Sequence, residues 1–356
     1  MDQNNNIPPF GYGAYQSPAD IIRQEKKQEK HGLFINASKL GALLLIYEAL
    51  TYGMNYVYFY LLFFIKSKSF SLEPDVVRNF YKENSSIMDS SFYKMLGNLF
   101  IVVVSMLILL LIAKYLFKIK FEDMLRPKAS LVKNGFRWFP LSMSMNYAAS
   151  IAISIVVGIL STAGLTVPEQ DFSISDSSAG ALAMQFAYVI LLGPLCEELL
   201  YRGVIITLLR PYGKGLAVFF SALFFGAMHG NIPQFASAFA GGLVFAAVAV
   251  KYNSIIPTIV IHILNNIVAS IGDFTDVLNV KEVITNHIYY AVFITILIIG
   301  FYIIFVKIGE IKPTEERTFV LTASQRRMGV FMNIFVLAYF ALLIMQYISS
   351  FVSANS

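Results

Sequence analysis

Apolar runs about 20 residues long recur along this chain, and each matches the roughly 30 Å hydrocarbon core of a bilayer. That recurrence limits what the chain can fold into. Its 356 residues are 57% hydrophobic and 14% charged, whereas soluble domains carry roughly 25% charged residues. A length that would otherwise allow two or three soluble domains is therefore read as all-α: a polytopic transmembrane helical bundle of about nine spans, with eight as the alternative count. The spans fall near 40–65, 96–117, 138–165, 180–209, 215–229, 235–250, 255–272, 287–306 and 329–351. The fifth and sixth are short for a bilayer, so they are expected to tilt little or to be buried by neighbours.

Four regions follow. Residues 1–39 are polar and basic, with no apolar core of a cleavable signal peptide, and are expected to form a disordered cytoplasmic arm. Residues 40–165 make an N-terminal three-span region, 178–272 a core of four spans, and 287–356 a C-terminal two-span region. Most of the 27 lysines and arginines collect in segments that would share the N-terminal side, which places the N-terminus in the cytoplasm of a protein integral to the cell membrane. The same asymmetry explains the net charge of +5 without invoking nucleic acid. Membrane lipids are the expected partners. The single cysteine, Cys196, excludes an intrachain disulfide framework. The stretch 118–137 mixes lysines and arginines with Phe117, Phe121, Met124 and Leu125, and reads equally as an amphipathic surface helix or a plain basic loop.

Ionisable side chains inside spans cost roughly 2.5–3.5 kcal/mol each on insertion scales, so each one asks for a function. Glu48, Glu197, Glu198, Arg202, His229 and His262 qualify, with Asn265 and Asn266 as polar neighbours. On a helix Glu198 and Arg202 share a face, acid before base, and can neutralise each other. Glu197 points about 100° away without such a partner, which suits a general base; a purely structural ion network is the plainer reading. His229 closes a short apolar helix just before Gly230-Asn231-Ile232-Pro233, where a packing histidine is the commoner case. His262 and Asn266 lie four apart on one face. They would polarise a carbonyl and hold its oxyanion, or simply bond neighbouring helices together. Taken jointly, the three segments hold the parts for water attack on an amide.

The ordered motifs Glu197-Glu198-x-x-x-Arg202, Phe225-x-x-x-His229 and His262-x-x-x-Asn266 resemble the CPBP family, also called Abi. These are intramembrane proteases related to type II CAAX prenyl endopeptidases and to bacteriocin self-immunity proteins. The resemblance covers roughly residues 180–270, and it implies that 178–272 is a catalytic core acting on a peptide or protein substrate. It implies that Glu197 and His229 activate the hydrolytic water, that His262 and Asn266 stabilise the oxyanion, and that Glu198 and Arg202 brace the site. The family is commonly labelled metalloprotease. Zn²⁺ would be held by Glu197, His229 and His262 in the His₂Glu manner, while a metal-independent glutamate base is slightly preferred. Two rivals stay open: a non-catalytic immunity-like or partner-binding membrane protein, and a proton-coupled transporter. The transporter lacks support from paired broken helices in corresponding halves.

Overall fold

A computed structural model describes residues 17–126, 128–168, 178–271, 281–315 and 317–355. Among these residues there are twelve helices and no strand. They are α1 (Pro18–Ser67), α2 (Pro74–Glu83), α3 (Ser85–Met88), α4 (Ser91–Leu111), α5 (Ala129–Thr162) and α6 (Ala179–Tyr212). Then follow α7 (Lys214–Ala227), α8 (Ile232–Tyr252), α9 (Ile256–Ala269), α10 (Glu282–Lys307), α11 (Ala323–Phe331) and α12 (Ile334–Asn355).

Seven helices are long and apolar enough to cross a membrane, and α7 and α9 are shorter apolar helices of 14 residues. At 1.5 Å per residue these two reach only about 21 Å. They are therefore walled in by longer helices: α7 packs along α8, and α8 and α9 both pack along α5. Nine apolar helices thus stand where nine spans were expected, but the second short one is α9 rather than α8. Asn231 explains the difference. Its side chain caps the Gln234 N–H at 2.9 Å and Pro233 occupies the first turn, so α8 starts early and runs for 21 residues.

Of the expected disordered arm 1–39, residues 17–39 depart from the expectation. Residues 1–16 lie outside the described residues, but α1 begins at Pro18, with Ser17 capping the Asp20 N–H. Its polar first half is held by long-range contacts that its local composition does not reveal. Leu33, Ala37 and Leu40 are buried, and the Glu29 carboxylate accepts the N–H groups of Val320 and Leu321 at 2.9 and 3.2 Å. Further along, α1 lies so close to α12 that a Cβ on Gly41 would stand 2.6 Å from the Val336 backbone nitrogen. Glu48 of α1 and Gln346 of α12 stand as polar neighbours across the same seam.

Of the stretch 118–137, residues 129–137 belong to α5 and residues 118–126 form neither a surface helix nor a free loop. The lysine of Lys39 donates to the Phe117 carbonyl at 2.9 Å, a short 3₁₀ turn covers Glu122–Leu125, and Phe121 and Met124 are buried. The Ile255 N–H, just ahead of α9, donates to the Met124 carbonyl at 2.9 Å. Lys114 pairs with Glu122 at 3.0 Å, and this contact holds the Glu122 carboxyl below its usual range. The basic stretch is thereby tied to α1, to the residues just past α4 and to the start of α9.

Candidate active site

The local geometry of α6 departs from a regular α-helix on both sides of the double glutamate. Phe186–Leu192 and Leu199–Ile205 are π-helical, and Gly193–Glu198 between them is α-helical. Such wide turns are rare and often mark functional sites. At the first one, the Gly193 N–H reaches back to the Tyr188 carbonyl, and a Cβ on Gly193 would stand 2.6 Å from that oxygen. Pro194 has no N–H to offer. The Val189 carbonyl loses its helical donors on both counts, and the Asn266 amide of α9 supplies one instead, with Nδ2 donating at 2.6 Å. The break at Gly193-Pro194 is therefore a π-turn stitched to the histidine-bearing helix.

Past that turn, Glu198 and Arg202 meet as their spacing predicts. Arg202 Nη1 donates to Glu198 Oε1 at 2.9 Å, and both side chains are completely buried. The guanidinium lies over two rings, Phe225 at 4.1 Å and Phe245 at 4.8 Å. Those π-faces partly replace the hydrogen bonds that Nε and Nη2 lack in protein. The same Glu198 oxygen accepts from His262 Nδ1 at 3.0 Å, a contact between residues 64 apart in sequence. One carboxylate oxygen thus binds an arginine from its own helix and an imidazole from α9.

That arrangement fixes the role of each His262 nitrogen. With Nδ1–H spent on Glu198, the ring turns Nε2 towards Glu197, whose Oε2 stands 3.6 Å away. This is an ion-pair distance and too long for a hydrogen bond. Glu197 is the more accessible acid of the two, its side chain 20% exposed. His229 is locked similarly: its Nδ1 donates to the Phe225 carbonyl one turn back at 2.9 Å. Its Nε2 therefore carries the lone pair and can accept a proton. The turn that follows needs Gly230 at φ +68°, and Asn231 Nδ2 holds the His229 carbonyl at 3.0 Å.

His229, His262 and Asn266 line a single cavity of about 240 Å³, far more than the roughly 10–15 Å³ one water needs. Glu197 lies within electrostatic reach of His229. Of the residues singled out from the sequence, His229, His262, Asn265 and Asn266 line the cavity, Glu197, Glu198 and Arg202 are linked to it through His262, and Glu48 is not among its lining residues. The structure also adds residues not singled out there. Asn146 of α5 lines the same cavity, pressed so closely on Gly241 that a Cβ there would stand 1.9 Å from its Oδ1. Ser142, one turn before Asn146, accepts from Asn265 Nδ2 at 3.2 Å. Asparagine and serine four apart within an apolar span form a polar stripe, and that stripe was the available signal. Phe225 is more than a motif landmark. Its ring packs edge-on against both His229 and His262, at centroid distances of 5.2 and 5.5 Å.

The expected zinc shell of Glu197, His229 and His262 does not form. Among the described residues, no three His, Cys, Asp or Glu side chains converge into a group able to hold a metal ion. Each histidine has its Nδ1 held by a protein acceptor, His262 Nε2 stands 3.6 Å from Glu197 Oε2, and the three donor atoms do not converge on one point. The side chains as placed do not fit the ion, and no step is derived through one.

Residues 179–268 match the family model described as type II CAAX prenyl endopeptidase Rce1-like. No curated protein and no solved structure matches the chain. The matched stretch covers α6 to α9 apart from the end of α9 and contains Glu197, Glu198, Arg202, His229, His262 and Asn266. Together with the apolar helices, the match supports an integral membrane protein with a catalytic region similar to CAAX-type intramembrane endopeptidases.

Proposed function

We propose that this chain hydrolyses a peptide bond in a membrane-associated or prenylated substrate, using a water activated by Glu197 and His229. The observation that carries the reading is the unequal treatment of two adjacent carboxylates. Glu198 is buried and committed to Arg202 and His262, whereas Glu197 is partly open and bound to neither through a hydrogen bond. A structural ion network has no need for a second, looser acid on the same turn. A hydrolase does, because its base must be free to take a proton.

In the proposed reaction, Glu197 accepts a proton from water while His229 Nε2 holds the water by accepting its other hydrogen. The oxygen attacks the substrate carbonyl carbon, whose electron pair moves onto the carbonyl oxygen. An N–H on His262 Nε2 and the second N–H of Asn266 Nδ2 stabilise the resulting oxyanion. Held by Glu198 on Nδ1, His262 faces Glu197 and the cavity through Nε2. Collapse of the tetrahedral intermediate breaks the C–N bond, and the proton taken by Glu197 passes to the departing amine.

The test is cleavage of a fluorogenic prenylated peptide by purified full-length protein. Glu197→Gln, His229→Ala and His262→Ala should each abolish cleavage while the protein remains in the membrane fraction. Cleavage by a variant carrying all three changes would sink the proposal. A peptide that accumulates on Glu197→Gln protein would identify the substrate by its sequence. Solute uptake into proteoliposomes, absent for a protease, separates the transporter reading.

A further inference from the structure

A second feature lies away from the hydrolytic cavity and shares no lining residue with it. The N-terminal half of α1 and the short α11 run side by side and enclose a groove of about 600 Å³. Lys26, Lys30, Leu33 and Phe34 form one ridge at helical i, i+4, i+7, i+8 spacing, and Met328 and Met332 stand on the facing ridge. The floor is tight, since a Cβ on Gly329 would stand 2.8 Å from Leu33. The walls are open: Phe34, Met328 and Met332 are 53%, 48% and 60% exposed.

Its two ends differ in chemistry. The apolar end leads directly into α12, whose first residue Ile334 is itself exposed, so it opens where a span enters hydrocarbon. The other end carries two ammonium groups. Among the described residues neither Lys26 nor Lys30 takes part in an ion pair. The neighbouring acid Glu29 is turned away, buried and holding the Val320 and Leu321 amides. A groove with a free cationic end and an apolar end at the membrane boundary complements an anionic amphiphile. We infer that it binds an anionic phospholipid of the surrounding bilayer, with the phosphate on Lys26 and Lys30 and the start of an acyl chain along Phe34, Met328 and Met332.

The experiment is native mass spectrometry of full-length protein in zwitterionic micelles, supplied with chain-matched phosphatidylglycerol and phosphatidylcholine. Wild-type protein should retain phosphatidylglycerol in preference. Lys30→Gln should weaken that retention about five-fold, and Lys26→Gln with Lys30→Gln roughly thirty-fold, the worth of one and two lysines at an anionic surface. Both lysines project from an exposed face, and an unchanged unfolding midpoint in zwitterionic micelles verifies the fold. Unchanged retention in the double variant overturns the inference. So does an equal loss in Lys118→Gln with Lys120→Gln, which would mean attraction to total charge. Displacement of the lipid by glycerol phosphate at equal concentration also overturns it, since the groove would then be a free-phosphate site with no use for the chain.

Discussion

Replacing Arg202 with methionine tests the electrostatic core of the site. At 2.9 Å from Glu198 Oε1, the guanidinium contributes about 6 kcal/mol of attraction at an effective dielectric near 20. Desolvation of two fully buried charges offsets much of that in the intact pair, so the pair itself adds little net stability. Removing one partner is different, because Glu198 keeps its desolvation cost with only His262 to answer it. The expected loss is about 3–5 kcal/mol, with part of it due to the two vacated ring faces of Phe225 and Phe245. Adding Glu198→Gln removes the stranded charge, so the double variant should recover most of that stability. It should not recover cleavage, because a neutral amide holds His262 Nδ1 less firmly. Unfolding by graded SDS in mixed micelles, run as a double-mutant cycle, measures the coupling. A coupling below about 1 kcal/mol would mean the buried pair is not the brace described.

Asn266→Ala should cost about 1–3 kcal/mol by orphaning the Val189 carbonyl. The cost should shrink in a Pro194→Ala background, where an N–H returns beside that carbonyl; unfolding in micelles measures both. Gly41→Ala should cost about 1–3 kcal/mol, since its Cβ meets rigid α12 backbone. Gly241→Ala should instead preserve the fold and raise KM for the peptide, because what yields is the end of the Asn146 side chain in the cavity wall. Incubation with a zinc chelator should leave the cleavage rate unchanged, and a rate restored only by added Zn²⁺ would refute the metal-free reading of the donor geometry.

How much of this was legible beforehand depended on the range of the interaction. The Glu198–Arg202 pair and the separateness of Glu197 follow from helical angles, and sequence spacing reports those faithfully. The His262–Glu198 bond joins residues 64 apart, and spacing says nothing about which face of one helix meets another. The π-turns around Gly193 and Leu199 were hidden because a change from four to five residues per hydrogen-bonded turn leaves little trace in an apolar run. Asn146 lies in a span with no acid, base or histidine to draw attention to it, although Ser142 one turn earlier marks the same stripe. The first half of α1 was misjudged for the converse reason. Its composition is that of a solvated tail, and the burial of Leu33, Ala37 and Leu40 against distant helices outweighs it.

The Asn266–Val189 hydrogen bond also bears on how a substrate can enter. Sliding α9 along α6 by even one residue would uncover a carbonyl that hydrocarbon cannot solvate, so these two helices should travel as a unit. Whatever opens to admit a polypeptide must then be sought among the other walls of the cavity.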